Sequence, residues 1–251
     1  MPRYFLELAY KGTHFSGFQS QQNANTVQAE VEKAFQVIQK EKVVMTGSSR
    51  TDTGVHALQN FFHFDYLAPL NTHLVYKLNA ILPHDIVIRS IKEVPDLAHC
   101  RFDAIARHYN YHICQHKDPF IKETAYFFPY TLDLDKMQQA AAILKEYTDF
   151  TSFSKRNTQV KTFQCQIIES NWLQKDDCLI YNVKANRFLR GMVRALTATM
   201  LKVGRGKLSI QEFRTIIEAR DCTKASFAVP PHGLFLMEVL YKPMANTSLS
   251  A

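Results

Sequence analysis

A chain of 251 residues is long enough for one large or two small domains, each with a real core. With 46% hydrophobic and 21% charged residues it is neither disordered nor fibrous, and no uncharged apolar run reaches membrane-spanning length. The formal net charge of +7 points to a polyanionic partner, nucleic acid being the simplest.

Arg3 to Tyr10 is predicted to be a strand, and Glu7 and Lys11 interrupt what would have to be the apolar core of a secretion signal. Asn25 or Thr26 then caps a helix whose apolar residues Val27, Val31, Ala34, Phe35 and Ile38 keep helical spacing. Lys42 to Met45 is expected to be a short strand, Gly47 to Ala57 a polar, glycine-bounded loop, and Leu58 to Phe64 another strand. A helix from about Thr72 to Leu82 stops at Pro83, and Ile86 to Val94 closes a β-α-β-β-α-β pass.

The second half echoes the first. His108 to Gln115 is a predicted strand with Tyr109, Tyr111 and Ile113 on one face. A helix from about Asp133 buries Leu134, Met137, Ala141 and Leu144, and strands follow at Phe163 to Trp172 and Leu179 to Ala185, joined by the polar turn 174–177. Asn186 to Val203 is predicted to be one long helix, Ser209 with Glu212 forms a capping box for the next, and Gly233 to Tyr241 is the last strand. The residues after Met244 are expected to be a frayed tail. Five widely spaced cysteines without a C-x-x-C pair predict reduced thiols in a cytoplasmic protein, with no disulfide framework and no zinc site.

Two features carry candidate chemistry. The first is Asp52, the one carboxylate in the loop Gly47–Ala57, with Arg50 before it and Gly54 after it. Taken alone, a loop aspartate is most often a turn residue or a cap. The second is a set of arginines on the predicted long helix, where Arg187, Arg190 and Arg194, three and four apart, form a stripe separate from its apolar side. Most such stripes are solvated faces. Three stacked like charges without an interleaved carboxylate are easier to explain if phosphates or an acidic group neutralise them. Lys202, Arg205 and Lys207 extend the charge. His56 and His63 invite a metal reading, but no third ligand stands at recognisable spacing.

Arg50-Thr51-Asp52-Thr53-Gly54-Val55-His56-Ala57 resembles the G-R-T-D-A-G-V-H-A signature of the TruA-type tRNA pseudouridine synthases. Tyr10 to Gln19 is similar to that family's Y-D-G-T-x-F-x-G-W-Q segment. Asn79-Ala80-Ile81-Leu82-Pro83, Arg101-Phe102-Asp103-Ala104, Tyr109-Asn110-Tyr111, Asp149 to Phe153, Ala185 to Arg194 and His232 to Leu236 follow in family order. The resemblance spans nearly the whole chain. It implies an α+β fold of two pseudo-symmetric ferredoxin-like subdomains, here 1–104 and 105–251, joined in a mainly antiparallel sheet with helices packed on it and a basic cleft between them. It also implies a homodimer acting on the anticodon arm of tRNA, at positions 38 to 40.

The implied reaction breaks the uridine N1–C1′ bond, joins C5 to C1′ and releases the C5 proton. It involves no redox or phosphoryl transfer, so no metal or organic cofactor is expected. The resemblance makes Asp52 the essential carboxylate, acting as nucleophile or as base; Arg194, which matches the family's M-V-R arginine, is expected to favour its ionised form. Arg50 is expected to enter the stack vacated by the extruded nucleotide, and Tyr109 to pack on the flipped base. Tyr111 is expected in the core. His56, Arg187, Arg190, Lys202 and Arg205 are RNA-binding candidates, His56 alternatively ordering its loop. Ser48-Ser49, Phe18 and Lys161-Thr162 depart from the family pattern, the serines in a way that could alter the loop. The competing reading is a non-catalytic RNA-binding protein on the same scaffold; a carboxylate kept beside a polyanion argues against it.

Overall fold

The structure, a computed structural model, describes residues 1–242 apart from 69, 71, 72, 157, 159 and 176. It is a mixed α+β protein in two compact units. In the first, β1 (Arg3–Tyr10) runs between β3 (His56–Asp65) and β4 (Ile86–Val94), antiparallel to both. The two-residue β2 (Thr46–Gly47) pairs with β3. Helices α1 (Val27–Gln39) and α2 (Leu74–Ile81) complete it. Thr26 is the N-cap of α1, its side chain accepting the Ala29 N–H, so the choice between Asn25 and Thr26 falls to the threonine. Val27, Val31, Ala34 and Phe35 are buried as their spacing predicts. The start of α2 expected at Thr72 lies outside the described residues, as does the tail expected to fray.

The second unit, Ala106–Phe235, has β5 (Ala104–Cys114), β7 (Ile167–Lys175) and β8 (Cys178–Ala185) in the order β5-β8-β7, all antiparallel. A two-residue β6 (Tyr126–Phe127) pairs in parallel with the end of β5. Helices α3 (Leu134–Ile143), α4 (Met192–Gly204) and α5 (Ile210–Glu218) follow, the last with the predicted capping box at Ser209 and Glu212. The closing strand β9 (Leu234–Tyr241) adjoins β3, and the Val239 N–H donates to Gln59 Oε1. From Leu236 onward the chain belongs to the first unit.

Three expectations are corrected. Lys42 to Met45 is not a strand, because side chains of α1 take its backbone: Glu32 accepts the Met45 N–H and the Gln28 amide donates to Met45 O. Val43 and Met45 are buried while Val44 points outward, which is the alternation that mimicked a strand.

The long helix does not begin at Asn186. Gly191 stands at its N-terminus with φ of 74°, a left-handed conformation that glycine adopts without strain, and α4 starts only at Met192. Arg187 and Arg190 therefore lie on an irregular segment, and only Arg194 is helical. That segment is tied down by backbone bonds from Lys155 N–H to Arg190 O and from Asn186 N–H to Gln166 O.

The cysteines are not all reduced. Cys114 and Cys178 are register partners on β5 and β8, with Cα atoms 4.3 Å apart, and form a disulfide. Directly opposed antiparallel residues come this close at non-hydrogen-bonded positions, and no spacing rule reveals which two cysteines will be opposed. Cys100, Cys165 and Cys222 are free thiols. In denaturant without reductant, alkylation is expected to label three cysteines, and five after reduction. Closing a separation of 64 residues makes the bridge worth about 4 kcal/mol on the chain-entropy model. The double variant Cys114→Ser/Cys178→Ser should lose most of that in urea unfolding.

Candidate active site

In the first unit, the Asp52 loop is fixed by buried polar groups on the strands around it. Asn60, fully buried on β3, uses all of its hydrogen-bonding capacity. Its Oδ1 accepts from Ser48 Oγ (2.7 Å) and from the Phe61 N–H (2.9 Å). Its Nδ2 donates to Ser49 O (2.9 Å) and to the Tyr10 hydroxyl (3.2 Å). The Tyr10 hydroxyl in turn shares a 2.8 Å bond with Thr51 Oγ1. Residues 48, 49 and 51 are thereby tied to β1 and β3 on the approach to Asp52. The Ser48 departure from the family pattern is absorbed by Asn60, whereas Ser49 Oγ is buried with no hydrogen-bond partner among the described residues.

Beyond Asp52 the chain turns at once. The Val55 N–H donates to Asp52 O, and Gly54 supplies the left-handed φ of 76° the turn requires. The preceding Gly12–Phe18 segment presses on the loop from the other side. The Phe18 N–H donates to Thr51 O, and the Phe18 ring stacks on Phe62 at 4.6 Å between centroids. A Cβ on Gly12 would stand 2.0 Å from Val55 O, so that position admits only glycine. His56 is 1% exposed, and its Nδ1 accepts the Gly12 N–H at 3.0 Å, which in the neutral ring leaves the proton on Nε2. Of the two roles open to His56, ordering the loop is what this contact supplies. Asp52 is half-buried at the centre of the frame, and Arg50 is exposed.

Arg50 lines an open cleft of about 400 Å³ together with Val44, His99, Arg101 and Phe102. One of the lining rings, His99, packs 4.4 Å from His63, whose Nδ1 is 3.2 Å from Cys100 Sγ; since that thiol donates to Thr46 O, the imidazole is the donor to sulfur.

In the second unit, Tyr109 lies on β5 opposite Val183 and is half-buried. Its ring meets Phe188 edge-on, with centroids 5.1 Å apart and planes at 83°. Phe188, on the irregular segment before α4, was not singled out from sequence. Tyr111 is fully buried and donates to Pro230 O at 2.7 Å. Burial pushes its phenol well above the ordinary range, with Arg194 partly offsetting this; it is a core residue, as expected.

Arg194, in the first turn of α4, donates through Nε (3.0 Å) and Nη2 (2.7 Å) to Val229 O, a fork that fixes the guanidinium plane. Arg187 is half-buried, and Arg190 and Lys202 are exposed. The Arg205 guanidinium stacks 3.7 Å from the centroid of Tyr130. Among the described residues no three His, Cys, Asp or Glu side chains form a group able to hold a metal ion, and no helix is long and apolar enough to cross a membrane.

Residues 8–103 and 140–242 match the family model for tRNA pseudouridine synthase. The chain belongs to that family. Similar curated proteins, each named tRNA pseudouridine synthase A, come from Parabacteroides distasonis (46% identical, covering 96% of both chains), Porphyromonas gingivalis (45%, covering 96% of this chain and 98% of that one) and Staphylococcus aureus (39%, covering 94% and 90%). A solved CRISPR endoribonuclease bound to RNA overlaps 81% of this chain and 97% of its own at 10% identity and a TM-score of 0.23, too slight a likeness to bear on the fold.

His63 gives a pH test of the packing behind His99. Desolvation first, then the neighbouring His99 and Arg3, lower its pKa from 6.5 to about 4. Above pH 6.5 the ring is neutral in folded and unfolded chains alike; between 6.5 and about 4 only the unfolded chain takes the proton, so stability falls as pH falls. The total loss is about 3 kcal/mol. Urea unfolding from pH 7.5 to 4 should show a shallower decline in His63→Gln than in the parent. Equal slopes would mean that the ring is protonated in the fold.

Proposed function

We propose that this chain isomerises uridine to pseudouridine in the anticodon arm of tRNA, with Asp52 as the catalytic carboxylate. The observation that carries the reading is the frame around Asp52. Tyr10, Asn60 and His56, all buried, hold the backbone on either side of it, and residues 50–57 read Arg-Thr-Asp-Thr-Gly-Val-His-Ala. A rigid mount suits a group that must meet one carbon of a ribose, because positioning errors of about 1 Å cost orders of magnitude in rate. A protein that only binds a polyanion needs no carboxylate held so firmly in its loop, which disfavours the non-catalytic reading.

The target nucleotide leaves its stem to reach a carboxylate. Asp52 then acts on the ribose, either as nucleophile at C1′ or as base on a sugar proton. The N1–C1′ bond breaks, the base turns, C5 joins C1′ and the C5 proton departs. We assign Arg50 to the vacated stack and Tyr109 to the flipped base, its ring held edge-on by Phe188. Arg194, anchored by its fork on Val229 O, is assigned to stabilising the Asp52 carboxylate. Arg187, Arg190, Lys202 and Arg205 are assigned to RNA phosphates, with Arg205 already braced on Tyr130.

The β4-β1-β3 order of the first unit, with the short β2 paired to the far side of β3 and two helices, supports a ferredoxin-like subdomain to which β9 adds a strand, and we extend that reading to the second unit. A cytoplasmic homodimer completes the proposal, on the resemblance alone.

Incubated with unmodified tRNA transcripts, the protein should install pseudouridine in the lower anticodon arm, mapped by chemical labelling. Asp52→Asn should abolish modification while tRNA affinity stays within about threefold, a gap under 1 kcal/mol. Modification by Asp52→Asn at the parent rate would remove the carboxylate from the mechanism. Arg194→Gln should lower the single-turnover rate at saturating RNA on the order of 100-fold, the usual loss for one preorganised electrostatic contact; an unchanged rate would limit Arg194 to binding.

A further inference from the structure

The first unit carries a second feature beside the Asp52 loop. Residues 98–103 form a turn that is held from within at nearly every polar atom. Arg3, itself paired with Asp65, donates to Ala98 O. The Tyr241 hydroxyl donates to Cys100 O, and the Cys100 thiol donates to Thr46 O. His99 closes the turn on itself, its N–H donating to Asp103 Oδ2 and its Nδ1 accepting from the Arg101 and Phe102 N–H groups.

Phe102 stands outside this frame, 75% exposed. Exposure alone decides nothing, since Leu97 and Phe120 are more exposed still. Phe102 differs in being supported. Its ring packs 4.2 Å from His99, which packs 4.4 Å from His63, which packs 6.4 Å from Phe5 in the core. The Arg101 guanidinium lies 5.9 Å from the Phe102 centroid.

Arg101, Phe102 and Arg50 line the same cleft, which has apolar wall at Val44 and Met45 and no Asp or Glu among the described residues lining it. Its volume of about 400 Å³ lies within the range of small-molecule sites. An aromatic face on a rigid support, flanked by guanidinium groups, in a cleft without carboxylates, has the chemistry that takes an unpaired nucleotide: base on the ring, phosphate on the arginines.

We propose that this cleft is a second nucleotide subsite, in which Phe102 stacks on an unpaired base of the substrate RNA and Arg101 holds an adjoining phosphate. The proposal rests on the reading of the chain as a tRNA-modifying enzyme and adds to it a contact with a second nucleotide, on the cleft that Arg50 also lines. It accounts for what the Asp52 loop alone does not supply, a grip on RNA that persists while the target base is swung out.

The test measures binding of an unmodified tRNA transcript and the single-turnover rate for Phe102→Ala, Phe102→Trp and Arg101→Gln. Loss of one stacked base should raise the Kd of Phe102→Ala about 5- to 100-fold, while Phe102→Trp stays within about threefold of the parent. Arg101→Gln should lower the slope of log affinity against log salt by about one. Phe102→Trp also reports directly, because the chain's other tryptophan, Trp172, is buried; the new indole should be quenched at saturating tRNA. Thermal unfolding of all three variants should match the parent, since neither side chain supports the core. An unchanged Kd in Phe102→Ala, or an indole unaffected by saturating tRNA, overturns the subsite. Failure of the underlying reading looks different: the parent protein itself would leave tRNA unmodified.

Discussion

The Asn60 amide is the constraint on which the Asp52 loop depends. A fully buried primary amide is tolerated only when its two donors and its acceptor oxygen are used, and here they are divided among Ser48, Ser49, Tyr10 and the Phe61 N–H. Any other rotamer strands several buried polar groups at about 1–3 kcal/mol each. The loop therefore inherits the rigidity of β1 and β3. This is the use to which buried polar networks are best suited: fully satisfied, they select one arrangement and penalise every alternative.

The glycines act with that network. Gly12 lets the chain pass within contact of Val55, Gly17 takes a φ of 97° against the carbonyl of Thr51, and Gly54 closes the turn after Asp52. Without them the N-terminal segment would stand off from the loop, and the Gly12 N–H could not reach His56. The spacing of these glycines, Phe18 and Asp52 along the chain thus expresses one local packing problem, how to bring two backbones and a carboxylate together without strain.

The readable parts of the sequence were those set by local periodicity. Strands β1 and β4, helix α1 with its Thr26 cap and the capping box of α5 follow from spacing and end chemistry that act within a few residues. The misread parts were decided by partners far along the chain. Lys42 to Met45 alternates as a strand does, but Glu32 and Gln28 occupy the backbone groups of Met45 that a neighbouring strand would need. Cys114 and Cys178 are 64 residues apart, and only the register of β5 on β8 opposes them. Gly191 is a local signal of the break, since a glycine inside a helical pattern often marks an end. Asn60 carried a signal too, an amide between strand residues that are otherwise apolar on that face.

The shortened helix changes what the arginines are. On one helix they would form a single charged stripe, mutually repelling and equivalent in role. On the observed backbone they divide. Arg194 is held by two bonds to a carbonyl in the first turn of α4, while Arg187 and Arg190 sit on a segment pinned through its own backbone. A guanidinium with a fixed plane suits a task needing orientation, whereas guanidinium groups on an irregular segment outside the helix suit phosphate contacts, which position the RNA without reading its bases. The same division recurs in the first unit, where His99 and Asp103 spend their polar atoms on the turn so that Arg101 and Phe102 face solvent. In both units the backbone is fixed first, and the residues left facing outward are those whose chemistry suits RNA.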